Sequence, residues 1–434
     1  MLSIKNWQNL SLTDKKQCLS RLMQTPSVKS RVLDVIKQVR TYGDKALYSY
    51  TEQFDGIRLQ SLQIPRQKIN SARISQNALT AINVAIKNLN TYHQSLLPEN
   101  KTIPTTPGIS IYSTSRPIQR VGLYVPGGNK TPLVSSLLMQ AIPARVAGCP
   151  VKVLCTPPDK TGSIDEHLLV AARLCGIETI YTVGGAQAIA AMAYGTESIC
   201  KVDKIFGPGN SYVTEAKIQI ASDPYGAAID MPAGPSEVMI FADDKANPDF
   251  IAADLLAQAE HGVDSQVILI CESLKFAECV NLQLQTQLKS LTRAQIIKNS
   301  LANSMIIICS DKTEQLKIIN SYAPEHLIIN RIDANTWVDK INAVGTIFLG
   351  CWAAETLGDY VTGSNHVLPT NGFARNHNGL STLDFLTQFN VQSISEEGIK
   401  NLGSAAITLA QIEGLDAHAK AVEIRLKSLA NKEN

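Results

Sequence analysis

The chain has 434 residues, of which 44% are hydrophobic and 18% charged, a composition typical of a soluble globular protein and unlike that of a disordered one. Its 40 basic and 38 acidic residues give a net charge of +2 without long runs of one sign, which argues against binding of nucleic acid. No uncharged apolar run approaches the roughly 20 residues of a membrane-spanning helix, and residues 1–16 lack the features of a signal peptide. We therefore expect a cytoplasmic protein of about two to four domains, without membrane or nucleic-acid partners.

The first part of the chain, residues 1–120, is predicted to be a helical region. Residues 30–50 and 74–96 carry apolar residues at three- and four-residue spacing, which is typical of helices that bury one side. The polar segment 98–108 contains three prolines and is predicted to be a connector. We expect this N-terminal region to pack on the second of the two α/β units that follow.

From residue 121 onward, short apolar runs alternate with helical patterns. One series of runs lies at 121–125, 151–155, 179–183 and 204–206, and a second lies at 237–241, 266–271, 305–309, 326–329 and 346–349. Strands that are apolar on both faces and separated by helices predict parallel sheets covered on both sides. We predict an α/β fold with two doubly wound units, at 121–234 and 235–380, and a C-terminal helical segment at 381–434 that needs a partner surface.

Three glycine-rich loops, at 126–128, 184–187 and 207–210, follow predicted strands of the first unit. Backbone amides and the N-terminus of a following helix can bind a pyrophosphate at such places. None of the loops has the spacing Gly-x-Gly-x-x-Gly, and no acidic residue stands about 20 positions downstream in the expected register. A single loop of this kind is more often only a tight turn, but three in one unit make a nucleotide-binding crevice an equally good explanation.

A candidate metal site comes from residues that are far apart in the sequence. Gln258 and His261 end a predicted helix at a spacing that places both side chains on one face. Asp359 lies in a polar loop and His418 in the C-terminal helical segment. Nitrogen and oxygen ligands of these types suit zinc and can leave a position open for substrate. The spacing alone does not decide, because a histidine before glycine is more often the end of a helix than a ligand.

A candidate acid–base pair, Glu325 and His326, opens a predicted strand. An adjacent carboxylate and imidazole can accept protons at different basicities, although a solvated glutamate beside a core-facing histidine is the alternative. His366 is a further loop histidine. The remaining histidines have no polar companions and are predicted to lie at the surface: His93, His167 and His377.

The nine cysteines do not indicate nucleophilic catalysis. There is no Cys-x-x-Cys pair, and most lie in apolar or helical contexts, as do Cys155, Cys271 and Cys309, so we expect buried free thiols in a reducing compartment. None has polar, base-paired surroundings that favour a thiolate, and the sequence contains no Gly-x-Ser-x-Gly motif. Acyl-enzyme or thiohemiacetal chemistry is therefore disfavoured.

Seven short motifs between residues 183 and 369 are more specific than these patterns. They are Val-Gly-Gly-Ala-Gln (183–187), Lys-Ile-Phe-Gly-Pro-Gly-Asn (204–210), Ile-Asp-Met-Pro-Ala-Gly-Pro-Ser-Glu (229–237), Gln-Ala-Glu-His (258–261), Tyr-Ala-Pro-Glu-His (322–326), Gly-Asp-Tyr (358–360) and Asn-His-Val-Leu-Pro (365–369). In sequence and in order they resemble the motifs of the histidinol dehydrogenase family. The resemblance extends over nearly the whole chain.

This resemblance implies an enzyme that oxidises L-histidinol to L-histidine through L-histidinal, with two NAD in succession, in the last steps of L-histidine biosynthesis. It implies two incomplete Rossmann-like domains with the site in the cleft between them. It also implies one zinc per subunit of a homodimer, bound by Gln258, His261 and Asp359 and by His418 from the other subunit. The zinc would position the substrate's imidazole and amine rather than activate water.

The resemblance further implies roles for single residues. His326 matches the general base that takes the alcohol proton, and Glu325 matches the base that activates water for hydration of the aldehyde. The implied NAD contacts are Tyr124, Gln187 and Asn210. Besides the zinc ligands and His326, the implied substrate-binding residues are Ser236, His366 and Glu413, the last from the partner subunit.

The chain departs from the family pattern in two loops, and three other functions stay open. Residues 129–131 form a loop one residue longer than the pattern, and Asn-His-Asn at 376–378 replaces small hydroxyl residues. A zinc hydrolase with the same ligands would leave the glycine loops unused. A non-catalytic relative that binds nucleotide is disfavoured by the intact pair Glu325 and His326. A cysteine-dependent aldehyde dehydrogenase is disfavoured by the thiol contexts.

Overall fold

The structure is a computed structural model that describes residues 1–21, 27–127, 132–232 and 234–433. The chain forms two compact units, of which the first comprises Met1–Leu96 and Ile118–Phe385, and the second Leu97–Pro117 and Leu386–Asn434. Within the described ranges, no helix is both long and apolar enough to span a membrane.

Strands and helices alternate along most of the chain. The strands are β1 (Ser3–Asn6), β2 (Thr102–Thr106), β3 (Ile109–Pro117), β4 (Arg120–Tyr124), β5 (Val151–Cys155), β6 (Thr179–Tyr181), β7 (Lys204–Phe206), β8 (Ala228–Ile229), β9 (Glu237–Ala242), β10 (Gln266–Cys271), β11 (Met305–Ile308), β12 (His326–Asn330), β13 (Thr346–Leu349) and β14 (Leu386–Ile394). The α-helices are α1 (Leu12–Cys18), α2 (Ser27–Tyr42), α3 (Asp44–Asp55), α4 (Arg66–Ser71), α5 (Gln76–Ser95), α6 (Val134–Ala147), α7 (Glu166–Leu174), α8 (Gly185–Tyr194), α9 (Ser211–Ala221), α10 (Pro248–Ala259), α11 (Leu274–Leu288), α12 (Ala294–Ala302), α13 (Lys312–Tyr322), α14 (Glu355–Tyr360), α15 (Glu396–Ile412) and α16 (Asp416–Glu433).

The first compact unit contains two parallel sheets. One has five strands in the order β6-β5-β4-β7-β8, and the other has six in the order β1-β11-β10-β9-β12-β13. Strands β9, β10 and β12 are buried along their whole length, because helices and loops cover both faces of the sheet. The predicted α/β class, with two series of buried parallel strands, is confirmed.

The N-terminal residues contribute to both sheets. Helices α2 and α3 pack against α8, and α2 also packs against α9, beside the five-stranded sheet. Strand β1 instead pairs with β11 and forms an edge of the six-stranded sheet. We predicted that this region is helical and packs on the second α/β unit. It also contains strands, and its longer helices lie beside the five-stranded sheet. The proposed four-region division of the chain stays a prediction.

The second compact unit consists of a three-stranded antiparallel sheet and a helix pair. The sheet has the order β14-β3-β2, and it lies partly in the segment that we predicted to be a connector. Helices α15 and α16 pack against each other, and Gly403 allows this close approach because a Cβ there would meet the side chain of Leu426 at 2.8 Å.

His93 lies inside the first unit, so the prediction of a surface position was wrong for this residue. Its side chain is fully buried at the end of α5, where Nδ1 lies 3.3 Å from Thr382 Oγ1. Burial lowers the pKa of His93 to about 4. His167 and His377 are partly exposed.

Candidate active-site cleft

A cleft of about 640 Å³ lies in the first unit between the two parallel sheets. The five-stranded sheet contributes residues that follow β4 and β7, at the carboxyl ends of its strands. The six-stranded sheet contributes residues that precede β9, β10 and β12, at the amino ends of its strands. The candidate residues that line the cleft are Asn210, Ser236, His261, Glu325, His326, Asp359 and His366.

Helix α10 carries Gln258, and His261, which lines the cleft, follows the end of this helix. The helix begins with Pro248 after the N-cap residue Asn247, and it ends just before His261. The imidazole Nδ1 of His261 lies 3.4 Å from Ser236 Oγ. Gln258 is fully buried, and neither its side-chain oxygen nor its nitrogen has a hydrogen-bond partner within the described part of the chain. A buried amide without partners is costly and indicates a ligand that the protein chain itself does not supply.

Helix α14 supplies two carboxylates, one helical turn apart. Glu355 is 2% exposed, and its Oε1 lies 3.5 Å from His326 Nδ1. Asp359 Oδ1 lies 3.5 Å from His326 Nε2. The backbone carbonyl of Asp359 accepts a hydrogen bond of 2.7 Å from His366 Nδ1. This contact fixes the orientation of the His366 ring beside the cleft.

Ligand atoms of His326, Glu355 and Asp359 all lie within 4.8 Å of one another, which is close enough to hold a metal ion. Sequence analysis did not predict Glu355. The signal that was available is its position four residues before Asp359, which places both carboxylates on one face if the segment is helical.

His326 is enclosed by acidic groups and is only 3% exposed. Its Nδ1 lies 3.2 Å from the carbonyl oxygen of Glu237 and 3.6 Å from a carboxylate oxygen of Glu325. Burial alone lowers the pKa of His326, but the negative charges of Glu355 and Glu325 outweigh it and raise that pKa well above the usual value. Burial raises the pKa of Asp359, and its contact with His326 reverses this, so that the net shift is downward.

Glu325 is held by the backbone of the neighbouring strand. It is 6% exposed, and its Oε2 accepts a hydrogen bond of 2.8 Å from the backbone N–H of Glu237. The parallel register of β12 with β9, in which His326 is opposite Val238, brings the two strand starts together. The predicted acid–base pair is therefore buried at the cleft, and the alternative of a solvated Glu325 does not apply.

The residues predicted to contact NAD lie near the carboxyl ends of the strands of the five-stranded sheet. Tyr124 is buried, and its hydroxyl accepts a hydrogen bond of 3.0 Å from the backbone N–H of Gly185. Gln187 is buried in the first turn of α8. Asn210 caps α9 and accepts hydrogen bonds of 3.1 Å from Tyr212 N and Val213 N. Of these three candidates, only Asn210 lines the cleft directly.

The glycine loop after β7 is shaped by a buried ion pair that sequence analysis did not single out. Lys217 Nζ contacts a carboxylate oxygen of Asp230 and donates a hydrogen bond of 2.8 Å to the carbonyl of Gly207. The second oxygen of Asp230 accepts a hydrogen bond of 2.8 Å from Gly207 N. Gly207 has φ +118°, and a Cβ there would lie 2.0 Å from the carbonyl oxygen of Tyr124, so this turn requires glycine.

The remaining candidates have different positions. Glu413 is the C-cap residue after α15 and His418 lies near the start of α16, and both side chains are exposed in the second compact unit. The loop at 129–131, together with Gly128 of the first glycine loop and Ala233 of the 229–237 motif, lies outside the described residues. In the other divergent loop, His377 Nδ1 lies 2.7 Å from Asn376 Oδ1.

Six of the nine cysteines are buried, as predicted, whereas Cys200, Cys279 and Cys351 are exposed. All nine are free thiols, and Cys155, Cys271 and Cys309 are buried. Burial raises the pKa of the Cys155 thiol far above its usual value.

Two parallel α/β sheets with an acid–imidazole pair at the cleft between them define a Rossmann-like α/β enzyme. The sequence model of the family described as "Histidinol dehydrogenase" matches residues 20–426 of this chain. The chain belongs to the histidinol dehydrogenase family and is therefore an oxidoreductase.

Individual relatives agree with this family over the full length. The chain is 70% identical over 431 residues to the histidinol dehydrogenase of Legionella pneumophila subsp. pneumophila strain Philadelphia 1, with 99% of this chain and 100% of that protein covered. It is 48% identical over 427 residues to that of Vibrio parahaemolyticus, with 98% of each chain covered. The crystal structure of histidinol dehydrogenase from Elizabethkingia anophelis matches with a TM-score of 0.95 at 42% identity, covering 99% of both chains.

Proposed function

We propose that this chain oxidises L-histidinol to L-histidine through L-histidinal with two NAD, in the last steps of L-histidine biosynthesis. The observation that carries the proposal is the pair Glu325 and His326, buried together at the cleft and held by the backbone of one residue, Glu237. The names of full-length relatives at 70% and 48% identity support the same substrate.

The hydrogen bond to Glu237 determines which nitrogen of His326 acts as the base. A carbonyl oxygen only accepts hydrogen bonds, so Nδ1, 3.2 Å away, carries the proton in the neutral ring. Nε2 then keeps its lone pair and faces Asp359 Oδ1 at 3.5 Å. We assign to Nε2 the removal of the alcohol proton as hydride leaves the adjacent carbon.

Glu325 serves the second half of the reaction. One carboxylate oxygen is held by Glu237 N–H at 2.8 Å, which leaves the other oxygen available to accept a proton from water as that water adds to the aldehyde. As the water adds, protonated His326 returns its proton to the aldehyde oxygen, and neutral His326 then removes a proton from the resulting hydrate as the second hydride leaves. Two adjacent bases thus divide an oxidation that needs both a proton acceptor for an alcohol and an activator for water.

A zinc ion fits the polar groups of the cleft. Gln258 offers a buried side-chain oxygen that has no partner in the described chain, and His261 and Asp359 line the cleft. We propose these three residues and His418 of the partner subunit as the zinc ligands. When bound, zinc supplies a positive charge that positions the substrate's imidazole and amine and offsets the carboxylates around His326. This set leaves His326 free to act as a base.

The glycine loops and the start of α9 are proposed to bind NAD, which accepts the hydride when bound. Asn210 caps the first turn of α9, and the positive end of the helix dipole at this turn favours a phosphate. Tyr124 supports Gly185 at the start of α8, beside Gln187. We propose Tyr124, Gln187 and Asn210 as the NAD contacts, and Ser236 and His366 as substrate contacts at the other side of the cleft.

A homodimer is proposed on the exposed surface of the second compact unit. This small unit exposes many large apolar side chains, which soluble proteins usually cover. They include Ile103, Phe389, Ile394, Leu402, Leu409, Ile412, Leu415 and Ile424. We propose that a second copy covers this surface and that Glu413 and His418 of the partner subunit complete each substrate and zinc site.

The proposal is tested by adding L-histidinol and NAD to the purified protein and following NADH absorbance, before and after chelation and again with added zinc. We expect NADH to form, to stop forming after chelation and to return with zinc. A zinc hydrolase or a non-catalytic relative would give no NADH. A cysteine-dependent enzyme would lose activity on thiol alkylation, whereas this one should retain it.

A further inference from the structure

One residue of strand β9 touches both proposed bases through its backbone. The N–H of Glu237 donates to Glu325 Oε2 at 2.8 Å, and its carbonyl lies 3.2 Å from His326 Nδ1. The position of this single residue therefore sets the direction of the free carboxylate oxygen of Glu325 and of the free imidazole nitrogen of His326.

The side chain of Glu237 is itself held by a distant arginine. Glu237 is 2% exposed, and its two carboxylate oxygens accept hydrogen bonds of 2.5 Å from Arg21 Nε and 2.8 Å from Arg21 Nη2. The backbone N–H of Asn371 donates a further hydrogen bond of 3.0 Å to the same carboxylate. A two-pronged arginine contact of this kind fixes orientation as well as charge.

Arg21 also contacts the turn that carries Glu325. Its guanidinium lies 3.9 Å from the centroid of the Tyr322 ring, and Nη2 donates a hydrogen bond of 2.8 Å to the Tyr322 carbonyl. Tyr322 ends helix α13, three residues before Glu325. Arg21 thus joins the start of β9, through Glu237, to the turn before β12.

We propose that Arg21 and Glu237 are positioning residues that hold Glu325 and His326 in their reactive orientation. Neither touches the reacting atoms; both act through the backbone of Glu237 and the turn after α13. The inference rests on the proposed function for its kinetic consequences, whereas its geometric consequences do not depend on the substrate.

The chain offers a matched control for the loss of the ion-paired Arg21. Arg331 donates to Glu272 and Asp333 at 2.8 Å each and stacks over Phe241, near the opposite end of the same strand β9. The variants Arg21→Met and Arg331→Met each remove one ion-paired arginine that contacts this strand, half-buried at Arg21 and buried at Arg331. Both should lower the melting temperature, but only Arg21→Met removes a contact that reaches the bases.

The kinetic test compares these variants with the unchanged enzyme. We expect Arg21→Met to lower kcat about 10- to 100-fold for both L-histidinol and L-histidinal, because small displacements of catalytic groups have effects of this size. KM for L-histidinol and the zinc content should stay within about two-fold, and Arg21→Lys should restore part of kcat because it keeps the charge but not the two-pronged contact. Arg331→Met should leave kcat unchanged.

Crystal structures of the same variants test the geometry without any assay. We expect Arg21→Met to displace Glu325 or His326 from the N–H and carbonyl of Glu237, and Arg331→Met to leave both contacts in place. If Arg21→Met does not fold, Glu237→Gln replaces it, since this variant keeps the side-chain shape and loses the ion pair. Absence of NADH from the unchanged protein would contradict the proposed function and leave the geometric test valid. Unmoved bases in Arg21→Met or its replacement would overturn the inference, as would an unchanged kcat.

Discussion

The proposed chemistry depends on which atoms of Glu325 and His326 are engaged and which are free. Glu237 occupies His326 Nδ1 and one oxygen of Glu325, so the remaining nitrogen and oxygen are those that can accept protons. The two side chains therefore have separable tasks, and substitution of each should affect a different part of the reaction.

Replacing His326 by Gln should lower turnover of L-histidinol about 10²- to 10⁴-fold, because the general base is lost while the amide keeps the shape of a polar side chain. Substrate binding, measured by calorimetry on the zinc-loaded protein, should persist. The variant His167→Gln, at a partly exposed position on α7, serves as the control and should be fully active. Loss of binding in His326→Gln would contradict its assignment as the base.

Replacing Glu325 by Gln should separate the two half-reactions. Oxidation of L-histidinol to the aldehyde should be nearly unaffected, whereas oxidation of added L-histidinal should slow by about 10²-fold or more, because the activator of water is gone. Both rates are measured as NADH formation from each compound separately. Equal losses in the two assays would refute this division of labour.

The sequence indicated candidate residues for the site but not the contacts between them. Gln258 with His261 and Glu325 with His326 are close in the chain, so local spacing indicated them. Glu237 ends one of the family motifs, but no role was predicted for it because its contacts depend on a strand pairing with residues 88 and 89 positions away. Arg21 is 216 positions from Glu237, and no local pattern indicates such a contact.

At the level of elements, helix α5 ends in a buried histidine that links stability to pH. Burial lowers the pKa of His93 to about 4 in the folded protein, whereas an unfolded histidine has a pKa of about 6.5. The unfolded chain therefore binds the proton more readily between these values. The contribution of neutral His93 to stability is fully present above pH 6.5 and is lost as the pH falls towards 4.

When the pH is lowered from about 7.5 to about 5, His93 should lower the free energy of unfolding by about 2 kcal/mol. The comparison is with His93→Gln, which keeps a polar partner for Thr382 but does not titrate. Urea unfolding at both pH values should show a larger loss for the unchanged protein than for the variant. Equal losses would mean that His93 is protonated in the folded state.

The buried elements were predictable, and the exposed ones were not. Strands β9, β10 and β12 are apolar runs because both sheet faces are covered, so composition alone indicated them. Strand β1 is short and mostly exposed, and it exists because β11 provides a sheet edge about 300 residues away. Strands β2 and β14 are largely exposed as well, so their sequences lack the apolar signal.

For the whole molecule, the cleft combines opposite ends of two parallel sheets. The five-stranded sheet presents the carboxyl ends of its strands, the usual place for a nucleotide. The six-stranded sheet presents amino ends, where the proposed bases Glu325 and His326 lie. The sequence indicated two α/β units but could not indicate which ends meet, because that depends on the packing of complete sheets.

Shared sites between subunits predict complementation. His418→Asn and His261→Asn homodimers should each be nearly inactive, because each proposed zinc site loses one ligand. In a mixed dimer, one of the two sites has both ligands intact, so purified heterodimers with different affinity tags should regain up to about half the activity per dimer. The control is a mixture of the two separately tagged variant homodimers under conditions in which subunits do not exchange. Inactive heterodimers would indicate sites built from one chain.

The most direct test of the central claim is to count the NADH formed per L-histidinol consumed by the zinc-loaded protein, with L-histidine measured as the product. The two-base mechanism predicts two NADH and one L-histidine for each L-histidinol. One NADH with accumulation of L-histidinal would contradict it, since the oxidation would then stop where Glu325 is proposed to act.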